Sequence, residues 1–130
     1  MAGYHVDIEK KTEENEYFRE VLFTAPHSQL VVMSLKPGEE IGMETHSDVD
    51  QFIRVEEGEG KAILDGQEYR LEDGSAIVIP AGTEHNVVNT SSKKALKLYT
   101  LYTPPEHPDG TIHKTKAEAE AYEREHHSGK

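Results

Sequence analysis

The chain has 130 residues, a formal net charge of −11 from 25 acidic against 14 basic side chains, and no cysteine. That length suits a single domain with one hydrophobic core, and the missing cysteines exclude disulfides, thiolate metal sites and cysteine nucleophiles. The acidic balance argues against a nucleic-acid partner, which needs a basic footprint; it draws divalent cations in and repels anions wherever no local Lys or Arg offsets it.

Residues 1–15 are mostly polar, and a weak Val6/Ile8 alternation reads as a short edge strand. Residues 16–24 turn β-like, and the nearly continuous apolar run 29–35 (QLVVMSL) is the pattern of a strand covered on both faces. Pro37-Gly38 breaks it. Residues 41–46 and 51–55 alternate, and 61–64 and 67–71 flank Asp65-Gly66, the strongest hairpin signal in the chain. Further strands are expected over 76–79, 85–88 and 95–102, separated by Asp73-Gly74 and Pro80-Ala81-Gly82. After Pro104-Pro105, Thr115 and Glu118 form a capping-box pattern, which predicts a short solvated helix over 116–125 that packs lightly through Ala117, Ala121 and Tyr122. Short strands with turns every roughly 8–12 residues predict an all-β sandwich or barrel, not βαβ units. No apolar run approaches the ~18–20 residues of a membrane span and no signal-peptide pattern opens the chain, so the expectation is a cytoplasmic protein without a membrane partner.

Two blocks carry the chemistry. Residues 38–58 read G-EEIGM-E-T-H-SDVD-Q-FIRVEE-G, and residues 74–89 read G-SAIVI-P-A-G-TE-H-NVV-N. Their spacing resembles the paired motifs of the cupin superfamily, G-x5-H-x-H-x4-E-x6-G and G-x5-P-x-G-x2-H-x3-N, and the second block agrees at every defining residue. About 15 residues separate the blocks, and the resemblance covers roughly 29–102. It implies one cupin domain over 1–130: an antiparallel β-barrel (a double-stranded β-helix, or jelly roll) at about 17–102, then an extension and short C-terminal helix at 103–130. It also implies one divalent transition metal as cofactor, on Glu44, His46, Gln51 and His85. Glu44 stands where His is common and Gln51 where Glu is common.

The residue chemistry supports such a site. Residues two apart on a strand point the same way, about 6.6 Å apart, so Glu44 and His46 can converge on one ion. A carboxylate, two imidazoles and an amide oxygen suit Mn, Fe, Co, Ni or Zn better than Cu(I) or a calcium cage. Gln51 is open to two readings, coordination or a hydrogen bond to a bound water or substrate. His5, His27, His107, His113, His126 and His127 lack motif context and read as solvated or capping. Asn89 shares a strand face with His85 and reads as ordering the barrel end, while Arg54 has the wrong parity for the pocket.

The ligand inventory resembles that of phosphomannose isomerases with Glu and Gln exchanged, whereas quercetin-type dioxygenases usually show three His and one Glu. It implies metal-dependent action on a small oxygenated molecule, best read as sugar or sugar-phosphate isomerase chemistry. A non-haem Fe(II) dioxygenase and a non-catalytic metal-dependent or sugar-binding module stay open, and no catalytic residue is assigned. Small cupins commonly pair, so a homodimer is expected, with the acidic amino-terminal segment as a candidate exchanged strand.

Overall fold

The computed structural model describes residues 2–126, so His127 lies outside the described residues. Its elements in chain order are α1 (Ile8–Glu14), β1 (Arg19–Thr24), β2 (Gln29–Leu35), β3 (Asp50–Glu57), β4 (Gly60–Leu64), β5 (Gln67–Leu71), β6 (Ala76–Ile79), β7 (His85–Asn89), β8 (Leu96–Thr103), β9 (Ile112–His113) and α2 (Lys116–His126). Period-two burial shapes the strands. In β3, Gln51, Ile53 and Val55 are buried and Arg54 faces outward; β8 buries Leu96, Leu98, Thr100 and Tyr102 in the same way. β2 is buried almost throughout, as its continuous apolar run predicts.

All strand pairings are antiparallel. The larger sheet has six strands in the order β6-β3-β8-β2-β1-β9, and the smaller has three, β5-β4-β7. The core lies between them, with Val31, Met33, Ile53 and Leu98 from one sheet meeting Ala62 and Val87 from the other. This two-sheet, all-antiparallel arrangement fits the sandwich or barrel expected from the spacing of the turns and the jelly roll that the family resemblance implies. No helix among the described residues is long and apolar enough to cross a membrane.

Four expectations need correction. The Val6/Ile8 alternation is not a strand: Asp7 caps a helix there, its side chain accepting from the Lys10 N–H at 3.1 Å, and the Thr12 hydroxyl donates to the Ile8 carbonyl. Two alternating residues are too short a period to outweigh an N-cap. Residues 41–46 form no continuous ladder; they touch β7 through isolated bridges at Glu40–Val88 and Glu44–His85, because Gly42 takes φ +111° and its N–H turns to the Asn86 side chain at 2.8 Å. β9 carries no strand signal in the sequence, being two residues long and paired only to β1. In α2, Ala119 is buried and Ala117 exposed, while the expected capping box forms: Thr115 Oγ1 accepts from the Glu118 N–H at 3.1 Å.

Two glycines let the sheets close. A Cβ at Gly60 would stand 2.5 Å from the Val88 carbonyl oxygen, and one at Gly58 would stand 2.6 Å from that of Ala95. Gly60→Ala should lower stability by about 2–3 kcal/mol in chemical denaturation, as overpacking does. At Gly3 a Cβ would meet nothing within 4 Å, so Gly3→Ala is the control; equal midpoints for the two variants would contradict this packing.

Candidate metal centre

Glu44 and His46 come from the bridged segment beside β7, His85 opens β7, and Gln51 sits near the start of β3. Backbone pairing sets the first contact: Glu44 and His85 exchange N–H···O bonds of 2.8 Å in both directions. Their side chains then meet. Glu44 Oε1 lies 3.6 Å from His46 Nε2 and 4.0 Å from His85 Nε2, and the ligand atoms of Glu44, His46 and His85 all fall within 4.8 Å of one another. These three residues form a group that could hold a metal ion.

Gln51 adjoins them. It is 4% exposed and opposes Tyr102 across the β3–β8 ladder; the Tyr102 ring in turn lies 6.2 Å from that of His46, edge-on. The Gln51 amide nitrogen donates to Thr100 Oγ1 at 3.0 Å, which fixes the amide and leaves Oε1 buried without a partner.

The imidazoles are oriented from behind. His85 Nδ1 stands 2.9 Å from the Thr83 carbonyl; a carbonyl can only accept, so the proton is on Nδ1 and Nε2 carries the lone pair. His46 Nδ1 faces Glu106 Oε2 at 3.3 Å. The Nε2 atoms of both rings are buried and make no hydrogen bond. Two imidazole nitrogens and a carboxylate thus lie within 4.8 Å of one another. This donor set fits a divalent transition ion, and an imidazole tied back through its other nitrogen is the usual arrangement for a metal ligand.

The protonation states follow from the same contacts. Burial pushes the Glu44 carboxyl up, but the close His46 ring, 3.6 Å away, and the charges of Arg19 and His85 outweigh that and hold it below the usual range. The Glu44 carboxylate beside it raises the His46 imidazole, against burial and with help from the charge of Glu106. Burial pushes the Tyr102 hydroxyl up.

Two histidines expected to be solvated are not. His113 is buried, and its Nδ1 accepts from Arg19 Nη1 at 3.3 Å. His107 packs edge-on against Tyr102 at 5.1 Å, with a buried, unpartnered Nε2. His5, His27 and His126 are exposed. The segment carrying Glu106 and His107 is clamped by buried Gln29, whose amide nitrogen donates to the His107 carbonyl at 2.7 Å while its oxygen accepts from both backbone N–H groups at 3.2 and 2.9 Å. Parity along 96–103 could have pointed to Thr100 and Tyr102. Nothing local marks Glu106, His107 or Arg19.

The comparisons with known proteins agree with this architecture. A family model described as Cupin domain matches residues 31–102. The uncharacterized protein YrkC of Bacillus subtilis is 48% identical over 124 residues, covering 91% of this chain and 66% of its own length, so the chain spans a little under two thirds of that relative. Quercetin 2,3-dioxygenase of Bacillus subtilis is 33% identical over 73 residues, 56% of this chain and 22% of that protein. Among solved structures, BH2720 from Bacillus halodurans superposes with a TM-score of 0.90 at 46% identity, over 92% of this chain and 95% of that one.

Burial, then the charges of Arg19, His46 and His113, push the His107 imidazole down to about 3, against 6.5 for a free imidazole. The unfolded chain therefore binds this proton first. His107 costs the fold nothing above pH 6.5, and stability is lost progressively as the pH falls from 6.5 towards about 3. His107→Phe should flatten that part of the stability-versus-pH curve in denaturation measurements; an unchanged slope would show that His107 protonates freely in the folded state.

Proposed function

This chain belongs to the cupin family, and from that premise we propose that it is a metal-dependent cupin acting on a small oxygenated molecule. In this reading one divalent ion of the Mn, Fe, Co, Ni or Zn series is held by Glu44, His46, Gln51 and His85. The observation that carries it is the Glu44, His46 and His85 group, whose ligand atoms lie within 4.8 Å of one another, with Nε2 of both rings buried and without a partner. When bound, the ion supplies Lewis acidity towards carbonyl and hydroxyl oxygens.

The protein's own groups divide the remaining work. Glu44 contributes the one anionic ligand, and Gln51, being neutral, leaves the centre more electrophilic than a second carboxylate would. Thr83 and Glu106 hold the two rings in their ligating orientation. The chemistry we assign is of the isomerase type, moving a proton between adjacent carbons of a sugar-like molecule or a hydroxy or keto acid; its support is the inventory of two His, one Glu and one Gln. A second reading, an Fe(II) dioxygenase, is favoured by the stretch shared with the quercetin dioxygenase and by the competence of two His and a carboxylate for oxygen chemistry.

We further assign a cytoplasmic homodimer. The amino-terminal segment is helical and offers no strand to exchange, so pairing falls to open sheet edges such as β6, where Val78 is 64% exposed.

Metal affinity measured by competition with a chelating dye tests the centre. His46→Ala/His85→Ala should lose stoichiometric metal while staying folded, Glu44→Gln should bind about 100-fold more weakly, at the upper end of known losses around metal sites, and Gln51→Glu should bind more tightly. Equal affinities for the parent, Glu44→Gln and Gln51→Glu would remove both residues from the ligand set. The reaction is tested separately. Oxygen-independent turnover of aldoses or hydroxy acids with Mn or Zn supports the isomerase reading, oxygen uptake with iron supports the dioxygenase, and no turnover with any of these metals leaves a binding module.

A further inference from the structure

Cross-strand register sets Val78, Phe52, Leu101, Leu30 and Phe23 opposite one another in turn, one residue from each of β6, β3, β8, β2 and β1. Their chain neighbours Ile79, Gln51, Ile53, Thr100, Tyr102, Gln29 and Val31 are buried, so strand alternation puts the row on the outer face of the larger sheet. Val78 is 64% and Leu101 36% exposed, and Phe52, Leu30 and Phe23 are half-buried. At the β1 end the ring of exposed Tyr4 stacks on Phe23 at 5.4 Å and prolongs the row. The Tyr99 ring lies 6.4 Å from that of Phe52 on the same face. α1 packs on β8, β3 and β2, and Lys97 Nζ donates to the Glu13 carbonyl at 2.7 Å. The helix therefore shelters the Lys97 end of this face and leaves the row open.

Two chains of net charge −11 repel each other, so a second copy docks only where acids are absent or matched. The row has no charged member. The flanking positions on β3 are matched: Asp50 lies two residues before Phe52 and Arg54 two after it, on the same face. A twofold axis along the row lays row on row with the strands of the two sheets aligned. It sets Asp50 of each copy against Arg54 of the other, acid on base. Five strands about 4.8 Å apart, over about six residues each, span about 24 by 20 Å. Two copies then bury roughly 1,000 Å² in all, the area at which an interface becomes specific. We propose that this outer face is the contact surface for a second copy of the chain, paired across a twofold axis along the row with Phe52 and Leu101 at its centre. The inference rests on the homodimer reading and extends the contact from the β6 edge across the sheet.

Sedimentation equilibrium of the full chain over a concentration series tests it, with far-UV circular dichroism to confirm that each variant is folded. The parent should be a dimer. Leu101→Lys brings two cations together in mid-face and should weaken the dimer about tenfold or more, while Tyr69→Lys, at an exposed position on β5 of the other sheet, should leave it unchanged. Asp50→Lys and Arg54→Asp each set like charges against one another and should weaken the dimer when alone. Mixed in equal amounts, the two should regain it as a heterodimer, which a loss of local structure would not produce. Either arm decides the matter if a variant in the other does not fold. A parent that stays monomeric at every concentration overturns the homodimer reading and this face with it. A dimer that Leu101→Lys leaves intact, an equal loss in Tyr69→Lys, or a mixture that stays monomeric overturns the face-to-face pairing alone, and the homodimer reading stands.

Discussion

Each buried polar atom left without a partner costs about 1–3 kcal/mol. Nε2 of His46 and Nε2 of His85 are nevertheless buried without hydrogen-bond partners, 3.6 and 4.0 Å from the Glu44 carboxylate, and Oε1 of Gln51 is buried and unpartnered as well. The outward-facing nitrogens are the ones that are satisfied: Nδ1 of His85 by Thr83, Nδ1 of His46 by Glu106 and Nε2 of Gln51 by Thr100. That division, with donors tied back and lone pairs left free, is what a cation would require. The surrounding structure can be understood as the frame that keeps it.

The frame is rigid where the site needs it. The segment bearing Glu44 is pinned to β7 by paired backbone bonds and by Asn86, whose side chain bonds the Gly42 N–H and the Glu40 carboxylate at 2.8 and 2.9 Å. At the far end of β7, buried Asn89 donates to the carbonyls of Leu35, Lys36 and Lys94 and accepts from the Ser91 N–H, so both ends of the strand carrying His85 are anchored. Gln29 holds Glu106 and His107 over the pocket from the other sheet. Side chains whose backbone is paired to a strand and backed by such bonds are held more precisely than those on free loops.

Much of this is legible in the amino-acid sequence, for a physical reason. Gln51 and His85 lie on short strands and Glu44 and His46 on the bridged segment beside β7, all at fixed offsets from turn glycines, so local spacing locates the group. The residues that sequence does not reveal are placed by distant contacts. Arg19 enters through the β1–β2–β9 register, and Glu106 and His107 through a clamp 77 and 78 residues away in sequence; no local pattern encodes either. His107 and His113 look like surface histidines in sequence because neither belongs to a periodic run. The amino-terminal helix hides behind two alternating residues that suggest a strand, although the side chain of Asp7 marks an N-cap. The buried face of α2 is set by how it docks, which favours Ala119 over Ala117.

The charge pattern joins these parts. An acidic chain attracts cations, and Glu44 is the one carboxylate in the group with His46 and His85. The most direct measurement is anomalous diffraction from crystals of protein supplied with manganese, cobalt or zinc. The account predicts one anomalous peak, about 2.0–2.2 Å from Nε2 of His46, Nε2 of His85 and a Glu44 oxygen, with Gln51 Oε1 as the fourth protein atom nearest to it. A stoichiometric ion elsewhere on the protein, with His46 and His85 paired to groups other than a metal, would contradict it.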